Sequence, residues 1–293
     1  MGSRVGKKEK IFRLAIIFLL VAVAFVYIFP LLVIFTNSFM DNVVRNFGDT
    51  YDFFDHELIG EISYVRYMLI PERISLQQYY TLLFQTPMYL NHFANSVRLT
   101  GSIVIMHVVV GVLAGYGFTI WQWKYKEFVF IAYIIVMVLP FQATLVPNFV
   151  MVNMLGMLNT HRGIILPLGF SPFAVFVMRQ SMRGIPPSIF EAAQIDGANG
   201  WRCLVNIAIP ISKSGIAALV ILSFADGWAM VEHPMIFLRY NALEPLSVVL
   251  YRMGQDEIGL IFAASVFYML PMVWLFLYGQ EYFEQGVKLS ALR

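Results

Sequence analysis

IPPSIFEAAQIDGANGWRCLVNIAIP, residues 185–210, is a polar island between two strongly apolar runs in the C-terminal half of the chain. Ser188 followed three residues later by Glu191 is a capping box, in which each side chain can satisfy an orphan amide, and it predicts a helix start. Pro186 and Pro187 hold the approach extended. Gly197, preceded by Asp196, is where this helix should stop, because glycine adopts the left-handed C-terminal conformation at little cost. The result is a two-turn helix. Asn199 is placed to cap a second helix in which Trp201, Leu204, Val205 and Ala208 share one face, with Arg202 and Asn206 opposite, and Pro210 should end it. Ala192 and Ala193 leave room for another backbone to come close, which predicts a short helix presented to something outside the chain. An amphipathic connector lying on a membrane surface fits the same spacing, and spacing alone leaves both readings open.

The surrounding composition sets the solvent. Of 293 residues, 59% are hydrophobic and 13% are charged, against roughly a quarter charged in soluble domains. This is a membrane protein. A formal net charge of +2, spread by loop with no basic stripe, gives no reason to expect nucleic acid. Cys203 is the only cysteine, so neither an intramolecular disulfide nor a cysteine metal site can form.

Working outward, the apolar runs predict an all-α integral membrane protein of six transmembrane helices, one unit from 11 to 283, with spans at about 11–35, 97–120, 128–151, 163–177, 211–231 and 259–282. The first run is too long for a signal-peptide core and reads as a retained span. Residues 1–10 and 284–293 form terminal tails. The longest polar segment, 36–92, is acidic; its cluster between Asp49 and Glu61, with Asp52, Asp55 and Glu57, lacks EF-hand spacing and reads as a solvated loop in preference to a cation site. Arg4, Lys7, Lys8, Lys10, Arg13, Lys124, Lys126, Arg179, Arg183, Arg202, Lys213, Lys288 and Arg293 fall on the side of the termini, and the other side holds about half as many cations. Both termini and the 185–210 loop are therefore expected on the cytoplasmic side, with segment 36–92 outside.

The run EAAQIDGANGWRCLVNIAIP resembles the EAA loop of the permease subunits of bacterial ATP-driven importers, in which Glu-Ala-Ala, three residues, Gly and a distant Pro recur. Glu191, Ala192, Ala193, Asp196, Gly197 and Pro210 stand at the matching positions. Further matches follow the family's order: AGYGF at Ala114–Phe118, Pro140, Gln142 and Pro147, the Leu155–Thr160 connection, Trp228 and Pro234, and Gly286 near the C-terminus. Ser290 and Arg293 depart from the family's closing glycine and lysine. The order is similar to that of the maltose-permease-like group of binding-protein-dependent carbohydrate permeases. The resemblance implies that the loop is a coupling helix docking on a cytoplasmic ATPase. It further implies a second, different permease subunit, two ATPases that hold the ATP and Mg, an extracytoplasmic sugar-binding protein, and alternating access for a carbohydrate of the oligosaccharide class.

No Walker A sequence or H-E-x-x-H is present, so the chain carries no P-loop of its own and no zincin motif, and no catalytic residue or cofactor is assigned to it. The five histidines have no metal-ligand spacing, and His107, inside the second span, reads as a hydrogen-bonded packing residue. Asp226 is the ionisable residue deepest in a span, where a charge is costly unless it faces a bundle interior or an aqueous path. Trp228, Glu232 and His233 are candidates to face a sugar, since aromatic faces stack on apolar sugar surfaces and carboxylates accept hydroxyl donors; an interfacial aromatic belt explains them nearly as well. Pro140 and Pro147 should free backbone carbonyls and kink the third span, and Gln142, after Pro140, joins Asp226, Trp228, Glu232 and His233 as a path candidate. Ala229 stands where the family has asparagine. The alternative class is an ion-coupled secondary transporter using Asp226, which would be expected to carry two similar halves or interrupted helices in matching positions, and the sequence gives neither.

Overall fold

The structure, a computed structural model, describes residues 7–40, 44–46, 63–65, 74–253 and 258–291. The acidic cluster between Asp49 and Glu61, with Asp256, Glu257 and Arg293, lies outside the described residues. Among the described residues, four helices are long and apolar enough to cross a membrane: Phe12–Asn37, Met88–Ile120, Arg162–Met182 and Ile258–Gln280. Two bent pairs, Lys126–Val138 with Gln142–Met154 and Gly200–Ile211 with Lys213–Trp228, bring the number to six if each pair counts as one span.

The described residues divide into two compact units, one up to Pro87 with Met253–Phe267, the other Met88–Arg252 with the helix from Tyr268 onward. In the first, α1 (Lys7–Asn37) is followed by a short antiparallel ribbon of β1 (Val44–Asn46) and β2 (Ser63–Val65), then by α2 (Gln77–Tyr80), which continues as a wider turn to Gln85. Ser38 Oγ and Tyr79 Oη meet at 2.8 Å. The described side chains of α1 from Phe12 to Leu32 are all exposed, so this helix offers its apolar surface outward.

The second unit holds the core. Here α3 (Met88–Ile120), α4 (Lys126–Val138), α5 (Phe141–Met154), α6 (Arg162–Gly169) and α7 (Pro172–Met182) lead to the polar island. The island folds as α8 (Pro187–Ile195) and α9 (Gly200–Ile211), followed by α10 (Lys213–Trp228), α11 (Glu232–Phe237), α12 (Leu246–Arg252) and α13 (Ile258–Ala291). The third apolar run is divided: Pro140 is extended at ψ 141° and caps α5, so the proline ends one helix and starts the next where the sequence predicts a kinked span. Pro147 stays inside α5. The second span starts at Met88, earlier than its apolar pattern, and α13 continues to Ala291 without a separate tail.

Small residues explain how α3 and α7 pack. A methyl group on Gly111 would come within 2.9 Å of the Ala174 carbonyl, and one on Gly115 within 2.7 Å of Met178 Cβ, so only glycine allows this approach. Gly117, the third glycine of the run, faces open space with Trp121 at 3.9 Å. Around that seam one cluster joins Val112 and Tyr116 of α3, Met178 and Met182 of α7, Phe190 of α8 and Leu204 of α9. The polar island is thus built into the main core. Burying side chains such as Phe190 and Leu204 contributes about 1.5–3 kcal/mol each.

Candidate functional site

The island begins with a proline. Pro186 is the N-cap of α8 and Pro187 its first residue, with no side-chain capping bond. The Ser188–Glu191 capping box predicted from the sequence does not form: proline fits the first helical position, where its missing N–H costs nothing, and this draws Ser188 inside the helix. The C-terminal end follows expectation. Gly197 has φ +82°, the Ala198 amide donates to the Ala193 carbonyl at 2.9 Å and the Gly197 amide to that of Gln194 at 3.0 Å. This is a Schellman closure. Asn199 caps α9, its Oδ1 accepting from the Arg202 amide at 2.9 Å.

The faces of α9 differ from the α-helical reading. Residues Leu204–Ala208 wind as a π-helix, with the Ile209 amide bonded to the Leu204 carbonyl. Pro210 has no N–H for the carbonyl of Asn206, so the regular ladder fails at this point, yet the helix continues to Ile211 and bends by 75° into α10. Cys203, Leu204 and Ala208 are buried, while Trp201 is 65% exposed and Val205 is half-exposed. Trp201 and Val205 therefore leave the apolar face assigned to them. On α8, Glu191, Ala192, Gln194 and Asp196 are exposed, Ala193 packs against the core, and Ile195 is 87% exposed. The two short helices thus have a buried side fixed by Phe190 and Leu204 and an outward side carrying Ile195 and Trp201.

The path candidates sit at the far end of α10. Asp226 is exposed, and Gly227 beside it faces Thr100 of α3. Trp228 is 3% exposed, stacked between Phe224 and Tyr268 at 5.2 Å each, with Phe93 edge-on at 5.6 Å. Its Nε1 donates to the Tyr268 carbonyl at 3.1 Å, and the Tyr268 hydroxyl returns a bond to the Trp228 carbonyl. Both faces of the indole are covered, so Trp228 is a packing residue here and not a sugar platform. Glu232 is exposed at the start of α11, and His233 lies partly buried, edge-on to Phe237 at 5.8 Å. Burial pushes the His233 imidazole below its usual pKa, against the opposing pull of Glu232 and Asp226. Gln142 is exposed in the first turn of α5, two turns before Phe149, the residue of that helix that meets Phe237. His107 bridges Ser223 Oγ at 2.9 Å and the Leu168 carbonyl at 2.8 Å, the packing role expected of it.

Sequence reasoning misses the polar clamp that holds the connection after α11. His92 Nδ1 donates to the Glu244 carbonyl at 2.8 Å, Asn95 Nδ2 to that of Ala242 at 2.8 Å, and Ser96 Oγ accepts from the Leu246 amide at 2.9 Å. Asn159, in the left-handed region at φ 61°, donates its amide to the Phe237 carbonyl and accepts from the Arg239 amide. The Glu244 carboxylate is 2% exposed and accepts from Arg252 Nη1 at 2.7 and 3.0 Å. Arg252→Met keeps the apolar stem but strands that carboxylate. It is expected to lower stability by about 2–3 kcal/mol, less than for a fully buried pair because Arg252 is partly solvated. Thermal unfolding in detergent reads this loss, and adding Glu244→Gln should restore part of it.

The profile of the family described as binding-protein-dependent transport system inner membrane component matches residues 107–289. The chain belongs to this family. It is a permease, a transport component and not an enzyme, and a multi-pass membrane protein. The arabinooligosaccharides transport system permease protein of Halalkalibacterium halodurans is 28% identical over 276 residues, 92% of this chain and 93% of that one. The melibiose/raffinose/stachyose import permease protein of Bacillus subtilis is 31% identical over 209 residues, 69% and 76% of the two chains. In fold, a chain of a bacterial ABC transporter involved in the import of the acidic polysaccharide alginate superposes with a TM-score of 0.81 at 21% identity, covering 96% of this permease and 100% of that chain.

Proposed function

We propose that this permease is one membrane subunit of an ABC importer for a neutral oligosaccharide, with α8 and α9 as the element that docks on a cytoplasmic ATPase. The observation that carries the reading is the two-sided build of residues 185–210. One side is locked into the core by Phe190 and Leu204, and the other presents Ile195 and Trp201 to solvent on a closed, capped pair of helices. Such a rigid projection fits a groove on a partner with little ordering cost. The oligosaccharide assignment rests on relatives whose names specify arabinooligosaccharides and melibiose, raffinose and stachyose. Asp226 and Glu232, both exposed, favour a neutral saccharide over an acidic one, because carboxylates accept from hydroxyls and repel like charge.

The remaining parts of the assembly follow from this reading. A second, different permease pairs with this chain, two ATPases carry ATP and Mg, and an extracytoplasmic binding protein delivers the sugar. Positive charge on the terminal side supports a cytoplasmic position for both termini and α8. The test is uptake of labelled arabinooligosaccharides and raffinose into vesicles holding the assembled transporter. Uptake is expected to require ATP and Mg inside and to weaken by unequal amounts in Asp226→Asn and Glu232→Gln. Uptake driven by an ion gradient with no ATPase present would replace this reading with an ion-coupled one.

A further inference from the structure

The docking element is tied to the membrane helices by more than the chain itself, and one side chain reaches both of its halves. Tyr116 lies on α3 directly after Gly115, at the seam where α3 and α7 approach closest, and is 6% exposed. Its ring meets Phe190 of α8 edge-on, with centroids 6.3 Å apart at 64°. Its hydroxyl donates to the carbonyl of Gly200, the first residue of α9, at 3.0 Å. That carbonyl also accepts from the Leu204 amide, so the tyrosine occupies its second lone pair at the point where the regular helix gives way to the π-helix. The chain joins the two short helices at the Gly197 turn and their buried sides share one apolar cluster, and Tyr116 adds from α3 a contact that touches both.

Resting on the docking reading above, we propose that Tyr116 is a positioning residue for transport: it fixes the angle between α8 and α9 and transmits displacement of the docked pair to α3. The ring and the hydroxyl have separable parts in this. The ring contributes to the core wherever α8 goes, whereas the hydroxyl bond is directional and is kept only while α9 holds its place against α3. Without it, α9 keeps its apolar packing through Cys203, Leu204 and Ala208 but loses its directional tie to α3, so displacement of α9 is passed on less completely and less sugar moves per ATP.

Tyr116→Phe isolates the hydroxyl, and Tyr116→Leu removes the ring as well. In vesicles holding the full transporter, three quantities are read together: ATPase captured with the permease, ATP turnover, and labelled sugar taken up per ATP hydrolysed. Capture is expected to persist in Tyr116→Phe, with uptake per ATP falling about fivefold, the factor that loss of one buried hydrogen bond gives. Tyr116→Leu should fall further. Uptake per ATP equal to that of the unaltered protein in Tyr116→Phe overturns the proposal. So does a fall in uptake that only follows a smaller amount of assembled complex, which is what a purely structural role predicts. An Ile195→Asp arm reads the docking assignment separately, since its failure would appear as undiminished capture and leave the Tyr116 ratio measurable.

Discussion

Gly197→Val is expected to leave the permease inserted and paired with its partner subunit while cutting ATPase capture, and the ATP hydrolysis stimulated by the binding protein, roughly tenfold. The backbone at Gly197 has φ +82°, and a side-chain carbon added there would meet nothing within 4 Å. Any effect is therefore conformational and not a clash. A β-branched residue in the left-handed region costs about 1–2 kcal/mol, too little to unfold a multi-span bundle but enough to move a docking equilibrium by about a factor of ten. The strain is relieved by opening the Schellman turn, which swings α8 relative to α9. Gly197→Asn supplies the control, because asparagine accepts this conformation more readily than valine does. Pull-down of the ATPase from membranes, with ATP turnover on the same preparation, reads both variants, and asparagine should retain most of what valine loses.

Ile195→Asp is expected to have a still larger effect on docking with none on folding. Ile195 is 87% exposed at the tip of α8, so its loss removes almost no contact within the chain. A carboxylate placed where an apolar side chain enters a partner's groove must be desolvated without a partner charge, and the loss of affinity should reach about thirtyfold or more. Trp201→Ala should weaken capture in the same assay, because that indole is 65% exposed and shares the outward side. Equal melting temperatures for the variants and the unaltered permease would separate lost docking from lost fold.

Much of this arrangement is local, and local features are what a sequence states most clearly. The Asp196–Gly197 stop and the Asn199 cap each depend on two or three neighbouring residues, and both form. The apolar runs mark the spans because lipid admits only helices or closed barrels. The misses come from competition or from distance. Ser188 and Glu191 satisfy the capping-box spacing, but Pro187 takes the first helical position and displaces Ser188 into the helix. A period of 3.6 puts Trp201 and Val205 on the apolar face of α9 with Leu204 and Ala208, but residues 204–208 wind as a π-helix, and Trp201 and Val205 lie exposed while Cys203 is buried.

Among the path candidates, Trp228 has the residue type of a sugar platform, and only Tyr268, 40 positions later, reveals that its faces are covered. Pro140 reads as a kink because nothing nearby tells whether the helix resumes in line. Glu244 gives no signal at all in the sequence: its carbonyl partner His92 lies 152 positions away, and the pattern of a clamp appears only when α3 comes alongside the connection after α11. Tyr116 stands in the AGYGF segment, and nothing local to that segment indicates a bond to Gly200, 84 positions away.

The central claim is that residues 185–210 are the contact with a cytoplasmic ATPase, and site-directed cross-linking tests it most directly. Cys203, the only cysteine, is buried, so Cys203→Ser gives a background in which Ile195→Cys is the one thiol of the permease. A short bifunctional reagent applied to membranes of the assembled transporter should join Ile195→Cys to the ATPase, and an impermeant thiol reagent should reach the same position only from the cytoplasmic side. A transporter that imports sugar at full rate, yet gives no ATPase adduct or is labelled at this position from outside intact cells, would contradict the account.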